Sequence, residues 1–298
     1  MTEAPTLTCR GRTLDTSAPL VMGVVNATPD SFSDRARLST VEARVGLSLQ
    51  LLDAGADLLD IGGQSGVTGV REISEQEEID RVMPLLLGIL GERPEAVISI
   101  DTYRPGVTSA AIDAGASIIN DVSGLQHPEL VTLCAREGCA LVLMHTRVAP
   151  KKKLLDPLLY DDVTADVIAM LRDRWRQASA LGLPDEAIVL DPGIDYAKTP
   201  YQSVAVLREI DRVLALGRPI LFALSRKDFV GAITHRLPAD RLAGTLAAIG
   251  YIGQRPGAIY RVHDVAETVD FLRVQDALVN GSVLSPDSRL SDELRREG

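Results

Sequence analysis

The sequence predicts an α/β fold, a (β/α)8 TIM barrel in a single domain, on three observations. Eight short Val/Ile/Leu-rich runs each end in a polar residue, amphipathic helical stretches separate nearly all of them, and one helix stop, Asp-Ala-Gly-Ala, opens a strand in one place and recurs in another. Continuous apolar strands alternating with helices mean a parallel sheet covered on its outer face. Eight of them within 298 residues fit a closed barrel better than an open sheet.

Taken in order, residues 1–20 precede the first buried run, and Thr6–Leu14 within them reads as a short strand or hairpin plugging the barrel bottom. The barrel spans 21–281. Its first strand is Val21–Val25, and the helix Val41–Ala54 follows with apolar residues at three- and four-residue spacing. Asp53-Ala54-Gly55-Ala56-Asp57 stops that helix at a glycine able to take the left-handed conformation, then turns into strand Asp57–Ile61. Helix Ile73–Leu90, strand Val97–Ile100 and helix Val107–Ala114 come next, and Asp113-Ala114-Gly115-Ala116-Ser117 repeats the stop before strand Ser117–Ile119. Taken alone, the stop could also be a frequent helix ending; the strand count is what makes it a repeating unit. Helix Pro128–Glu137, strand Ala140–Met144, helix Val163–Leu181, strand Ala187–Leu190, helix Ser203–Leu216, strand Pro219–Leu224, helix Arg241–Ile252 and strand Ala258–Val262 complete the alternation. Residues 282–298 form a Ser/Asp/Glu/Arg-rich tail, too poor in apolar surface to order itself.

Composition narrows the function. With 31 Lys+Arg against 41 Asp+Glu, a net charge of −10, and no basic run longer than Lys151-Lys152-Lys153, a general nucleic-acid binder is excluded. Anionic small molecules stay open, because local field outweighs net charge. No basic segment precedes an apolar one at the start, and no window approaches about 18 uninterrupted apolar residues, so neither export nor a membrane span is expected. Cys9, Cys134 and Cys139 lack C-x-x-C spacing, which suggests neither a disulfide framework nor a thiolate metal site, and the cytoplasm is the expected location.

Barrel enzymes place their chemistry just past the C-terminal ends of the strands. Those positions here hold Asn26, Asp60, Asp101, Asn120-Asp121, His145, Asp191, Ser225-Arg226-Lys227, and Arg261 with His263. Each taken singly has an ordinary reading, such as a helix cap or a solvated charge; their convergence is the signal. Asp101, Asn120 and Asp191 offer acceptors and an amide, which suits a flat heterocycle presenting several N–H donors. Lys227, Arg261 and His263 supply positive charge where many barrels hold phosphate, and Asn26 suits phosphate oxygens or a hard cation such as Mg²⁺.

The segment Met22-Gly23-Val24-Val25-Asn26-Ala27-Thr28-Pro29-Asp30-Ser31-Phe32-Ser33-Asp34 closely resembles the first signature of the dihydropteroate synthase family. Asp60-Ile61-Gly62-Gly63, Ser99-Ile100-Asp101-Thr102, Ile119-Asn120-Asp121-Val122-Ser123-Gly124, Met144-His145, Asp191-Pro192-Gly193, Ser225-Arg226-Lys227 and Arg261-Val262-His263-Asp264 extend the resemblance over about residues 6–280. It implies a transferase, commonly a homodimer, that condenses 6-hydroxymethyl-7,8-dihydropterin pyrophosphate with p-aminobenzoate in folate biosynthesis. By resemblance, Asp101, Asn120, Met144, Asp191, Lys227 and Arg261 bind the pterin, with Asp101, Asp191 and Lys227 catalytic. Asn26, Arg261 and His263 hold pyrophosphate, Mg²⁺ assists at Asn26, Ser225 sits near p-aminobenzoate, and Lys198 matches the family's lysine after Asp-Pro-Gly. Loop one is expected over Ala27–Thr40 and loop two over Gly63–Ser74.

The sequence departs from the family at both loops. Where the family reads Glu-Ser-Thr-Arg-Pro-Gly this chain has Gln64-Ser65-Gly66-Val67-Thr68-Gly69, so the Thr-Arg pair that orders loop two over p-aminobenzoate is replaced by Gly66 and Val67. Arg35-Ala36 replaces Gly-Gly in loop one, and Asp195-Tyr196-Ala197-Lys198 replaces Gly-Phe-Gly-Lys. The expectation is a working synthase with a rebuilt second-substrate loop, with Arg71 or Arg35 standing in for the lost cation, and reduced sulfonamide sensitivity. The alternatives are a non-catalytic paralogue that binds pterin and, further off, a methyltetrahydrofolate-corrinoid methyltransferase, against which the Thr-Pro-Asp-Ser-Phe-Ser-Asp and Ser-Arg-Lys segments argue.

Overall fold

The structure, a computed structural model, describes residues 4–27, 40–64, 72–281 and 284–295. It opens with an antiparallel hairpin of β1 (Leu7–Cys9) and β2 (Arg12–Leu14). Leu7 and Cys9 are fully buried, and between the strands the Arg10 guanidinium donates to the carbonyls of Ile112 and Ala116 while its backbone N–H donates to that of Gly138. These carbonyls lie just before two barrel strands, so the hairpin covers the N-terminal end of the barrel.

The barrel strands are β3 (Leu20–Asn26), β4 (Leu58–Gly62), β5 (Ile98–Asp101), β6 (Ile118–Asp121), β7 (Ala140–Met144), β8 (Ile188–Asp191), β9 (Ile220–Phe222) and β10 (Ala258–Val262). Each pairs in parallel with the next, and β10 pairs with β3 to close the ring. Side chains of these strands are nearly all buried on both faces, the reason they read as continuous apolar runs. Both Asp-Ala-Gly-Ala glycines take positive φ, 101° at Gly55 and 112° at Gly115, as a helix-to-strand turn requires.

Ten helices are seen among the described residues: α1 (Val41–Asp53), α2 (Glu75–Glu92), α3 (Pro105–Asp113), α4 (Glu129–Glu137), α5 (Val163–Ala180), α6 (Pro200–Arg208), α7 (Ile210–Leu214), α8 (Asp228–Thr234), α9 (Leu242–Ile252) and α10 (Val265–Asn280). The stretch Ser203–Leu216, read as one helix, is two. Glu209, at φ −107° and ψ 25°, interrupts the ladder, and Ile210 and Val213 of α7 turn into the core. Helix α6 also begins earlier than its apolar spacing suggests, at Pro200, because Thr199 and Gln202 form a reciprocal capping box ahead of it. In the tail, residues 284–295 are exposed and hold one short 3-10 turn, Glu293–Arg295.

Candidate active site

At the mouth formed by the strand ends, Asp60 of β4 is fully buried. Its Oδ1 accepts from Ser99 Oγ at 2.6 Å, and its Oδ2 accepts from Asn120 Nδ2 at 3.1 Å and from Arg261 Nε at 2.6 Å. The same guanidinium donates from Nη2 to Asp101 Oδ2 at 3.0 Å, so one cation on β10 bridges carboxylates on β4 and β5. A buried ion pair of this kind holds only where hydrogen bonds satisfy both partners, and Ser99 and Asn120 supply them to Asp60. Burial pushes Asp101 up to about 7 despite the opposing pull of Arg261. Asn120 spends its amide N–H on Asp60 and leaves its Oδ1 buried without a hydrogen-bond partner. An acceptor left this way is costly unless a ligand N–H meets it.

Asp191 ends β8, its Oδ1 accepting from Gly193 N at 2.7 Å, and burial raises its pKa. Lys227 Nζ lies 4.6 Å from the Tyr196 ring centroid, a cation–π contact, while burial lowers its pKa. Ser225 Oγ is 2.9 Å from His263 Nδ1. Burial, with Arg226 and Arg261 nearby, lowers His263 to about 4, so the ring is neutral near pH 7. The positive charge expected at this edge is carried by Arg226, Arg261 and Lys227 beside His263. Met144 is buried at the end of β7 in register with Asp191, and Asn26 ends β3 exposed to solvent.

The structure thus gathers Asp101, Asn120, Asp191, Lys227 and Arg261 at one mouth, with Ser225 and His263 paired at its edge. Asp60 stood among the strand-end residues of the sequence yet received no role; its central place could have been inferred from a carboxylate flanked by Leu59 and Ile61. Tyr196 carried no signal beyond its loop. Gly66, Val67, Arg71, Arg35 and most of loop one lie outside the described residues. Gln64 at the base of loop two is described, its Oε1 accepting from Ile73 N at 3.1 Å and its Nε2 donating to Tyr103 Oη at 3.3 Å. Among the described residues, no group of three or more His, Cys, Asp or Glu side chains is placed to hold a metal ion.

A mouth of this composition has counterparts among known proteins. The family profile for pterin binding enzymes matches residues 22–263. Dihydropteroate synthase of Bacillus subtilis is 37% identical over 262 residues, covering 88% of this chain and 89% of that one. This chain belongs to the dihydropteroate synthase family. Among solved members of the family, Xanthomonas albilineans dihydropteroate synthase with 4-aminobenzoic acid is 40% identical, with a TM-score of 0.85 over 95% of this chain and 100% of that one. The same enzyme in complex with 7,8-dihydropteroate gives a TM-score of 0.82 at 40% identity, over 94% of this chain and 100% of that one. Where the resemblance places two family glycines, this chain carries Asp195 at φ 67° and Ala197 at φ 48°.

Proposed function

We propose that this protein is a dihydropteroate synthase, condensing 6-hydroxymethyl-7,8-dihydropterin pyrophosphate with p-aminobenzoate to give 7,8-dihydropteroate and pyrophosphate. The observation that carries the reading is the acceptor wall of Asp101, Asp191 and the unpartnered Asn120 Oδ1, set beside the cations Arg261 and Lys227. A pterin edge offers the N–H donors this wall lacks. Asp101 accepts from Arg261 through one oxygen and retains lone pairs for a ligand donor.

Catalysis in this reading is electrostatic. The bond from the pterin methylene carbon to oxygen breaks, its electron pair leaves with pyrophosphate, and Asp101 and Asp191 stabilise the positive charge that grows on the pterin. Lys227 binds the pterin from above Tyr196, with Met144 against the ring. Arg261, His263 and Asn26 hold the pyrophosphate, and Ser225 adjoins p-aminobenzoate. The aniline nitrogen then forms the new C–N bond and gives up one proton; no side chain is a nucleophile.

Mg²⁺ is the cofactor of the proposal. Asn26 offers a single carboxamide oxygen at an exposed strand end, which suits a cation that keeps most of its waters and takes its remaining ligands from substrate phosphate. When bound it would neutralise charge on the leaving group. A homodimer and a cytoplasmic setting belong to the same reading: Val274, Leu278 and Tyr251 on α10 and α9 are exposed, and the three cysteines are free and buried. No helix among the described residues is long and apolar enough to cross a membrane.

The test is pyrophosphate release from the pterin pyrophosphate with Mg²⁺, expected to depend on p-aminobenzoate. Pterin binding without release would favour the second reading, a non-catalytic pterin binder, for which the replacement of the Thr-Arg pair by Gly66-Val67 is the one motive. The same residues motivate reduced sulfonamide sensitivity, and ordinary micromolar inhibition by sulfamethoxazole would remove that part.

A further inference from the structure

Lys198 takes no part in the steps above, yet its side chain is one of the largest that are fully buried. Three acceptors surround its Nζ: His145 Nδ1 at 2.8 Å, the Gly193 carbonyl at 2.9 Å and the Tyr196 carbonyl at 3.2 Å. An ammonium has three N–H donors and no acceptor, so the set matches the charged form donor for donor. The same contacts fix the imidazole. Nδ1 accepts, so Nε2 carries the proton and donates to Asp166 Oδ1 at 2.8 Å, and Asp166 is held in turn by Arg147.

Two of the three acceptors belong to the loop that joins Asp191 to α6. Its backbone is forced through positive φ at Gly193 (64°), Asp195 (67°) and Ala197 (48°), conformations that cost an ordinary L residue about 1–2 kcal/mol each. A Cβ on Gly193 would stand 1.9 Å from the His145 carbonyl oxygen, so this chain passes against β7 with no room to spare. The loop carries Asp191 at one end and the ring beneath Lys227 in its middle.

We propose that Lys198 is a positioning residue for the pterin half of the reaction: by tying the Gly193 and Tyr196 carbonyls to His145, it holds Asp191 and the Tyr196 platform of Lys227 in place. The inference rests on the synthase reading above. Around Lys198 stand Asp191, Asp166 and Asp195 as carboxylates, Lys227 as a like charge, His145 as a neutral ring and Tyr160, whose hydroxyl donates to the Ala197 carbonyl at 2.8 Å. Burial outweighs the carboxylates and brings the ammonium down to about 7. Above that pH one donor is lost and the loop loosens.

Lys198→Met removes the charge and keeps the unbranched bulk. Calorimetric binding of the pterin pyrophosphate and steady-state kinetics across the neutral range are to be compared with wild type. Kd and KM for the pterin ester are expected to rise by about tenfold to a hundredfold. KM for p-aminobenzoate should change little, and the alkaline limb of kcat/KM for the pterin ester should lose its onset near pH 7, leaving the part that Lys227, also lowered by burial, sets. A variant that only melts earlier, with wild-type KM, Kd and alkaline limb, would overturn the proposal. If Lys198→Met does not fold, Tyr196→Leu removes the platform and leaves all three acceptors; an unchanged pterin Kd there overturns it equally. Absence of release by the wild type would sink the synthase reading, while the pterin Kd comparison still decides the role of Lys198.

Discussion

Asp195 shows how a single position can absorb an unfavourable backbone. Its φ of 67° is one that glycine takes freely, and the resemblance places a glycine there. The carboxylate compensates locally, accepting from Ser203 Oγ at 2.9 Å and from Asp228 N at 2.5 Å, which caps the first turn of α8. Asp195→Ala keeps the strained Cβ and loses both bonds, so it is expected to destabilise by about 1–3 kcal/mol. Asp195→Gly loses the bonds but relieves the backbone, and should melt above the alanine variant; the reverse order in calorimetry would refute this account. Site residues were legible wherever a polar side chain ended an apolar run, as with Asp101 and Asp191. Charge state was not: His263 is neutral because the fold buries it, with Arg226 and Arg261 adding to the effect, and no spacing announces the burial.

Among elements, those read well from the sequence are those whose apolar side chains face a neighbour on both sides. Strands β7 and β10 coincide with their apolar runs, and the other strands shift by a residue or two. Helix α8 was not singled out because seven residues are too few to show a period. The break between α6 and α7 carries no glycine or proline, so nothing in the sequence marks Glu209 as its place. The start of α6 was readable in Thr199-Pro200-Tyr201-Gln202, a capping-box pattern that apolar spacing alone passes over. Thr199→Ala is expected to cost about 1 kcal/mol, lowering the melting temperature by about 2–4 °C. No change in melting would mean that α6 is held by its packing rather than by its cap.

For the whole molecule, buried ionisable groups tie stability to pH. His145 is lowered to about 3 and His263 to about 4, so below the ordinary histidine value of 6.5 the unfolded chain binds protons that the folded one refuses. Stability from these two rings is full above 6.5 and is lost as pH falls toward 4. Asp101, raised to about 7, acts in the opposite sense over the same window, since there the folded state holds its proton more tightly. Asp191, Asp121, Asp57 and Glu78, also raised by burial, act with Asp101, so the fall on acidification is the histidines' own limb and is read by removing a ring. His145→Gln should flatten that limb in melting curves taken against pH; an unaltered limb would mean that other groups set it. The barrel was legible as a whole because its alternation repeats along the entire chain, whereas the loops over the mouth depend on contacts that no repeat encodes.

The Arg261–Asp60 contact joins residues 201 positions apart, across a ring in which the last strand lies beside the first. A chain leaving the ribosome therefore makes Asp60 early and its counterion nearly last. Until β10 emerges, seven strands assemble around a carboxylate with no guanidinium to meet it, so ring closure and completion of the pocket are one event. A chain truncated before residue 258 should accordingly stay bound to chaperones rather than accumulate as a nearly finished barrel.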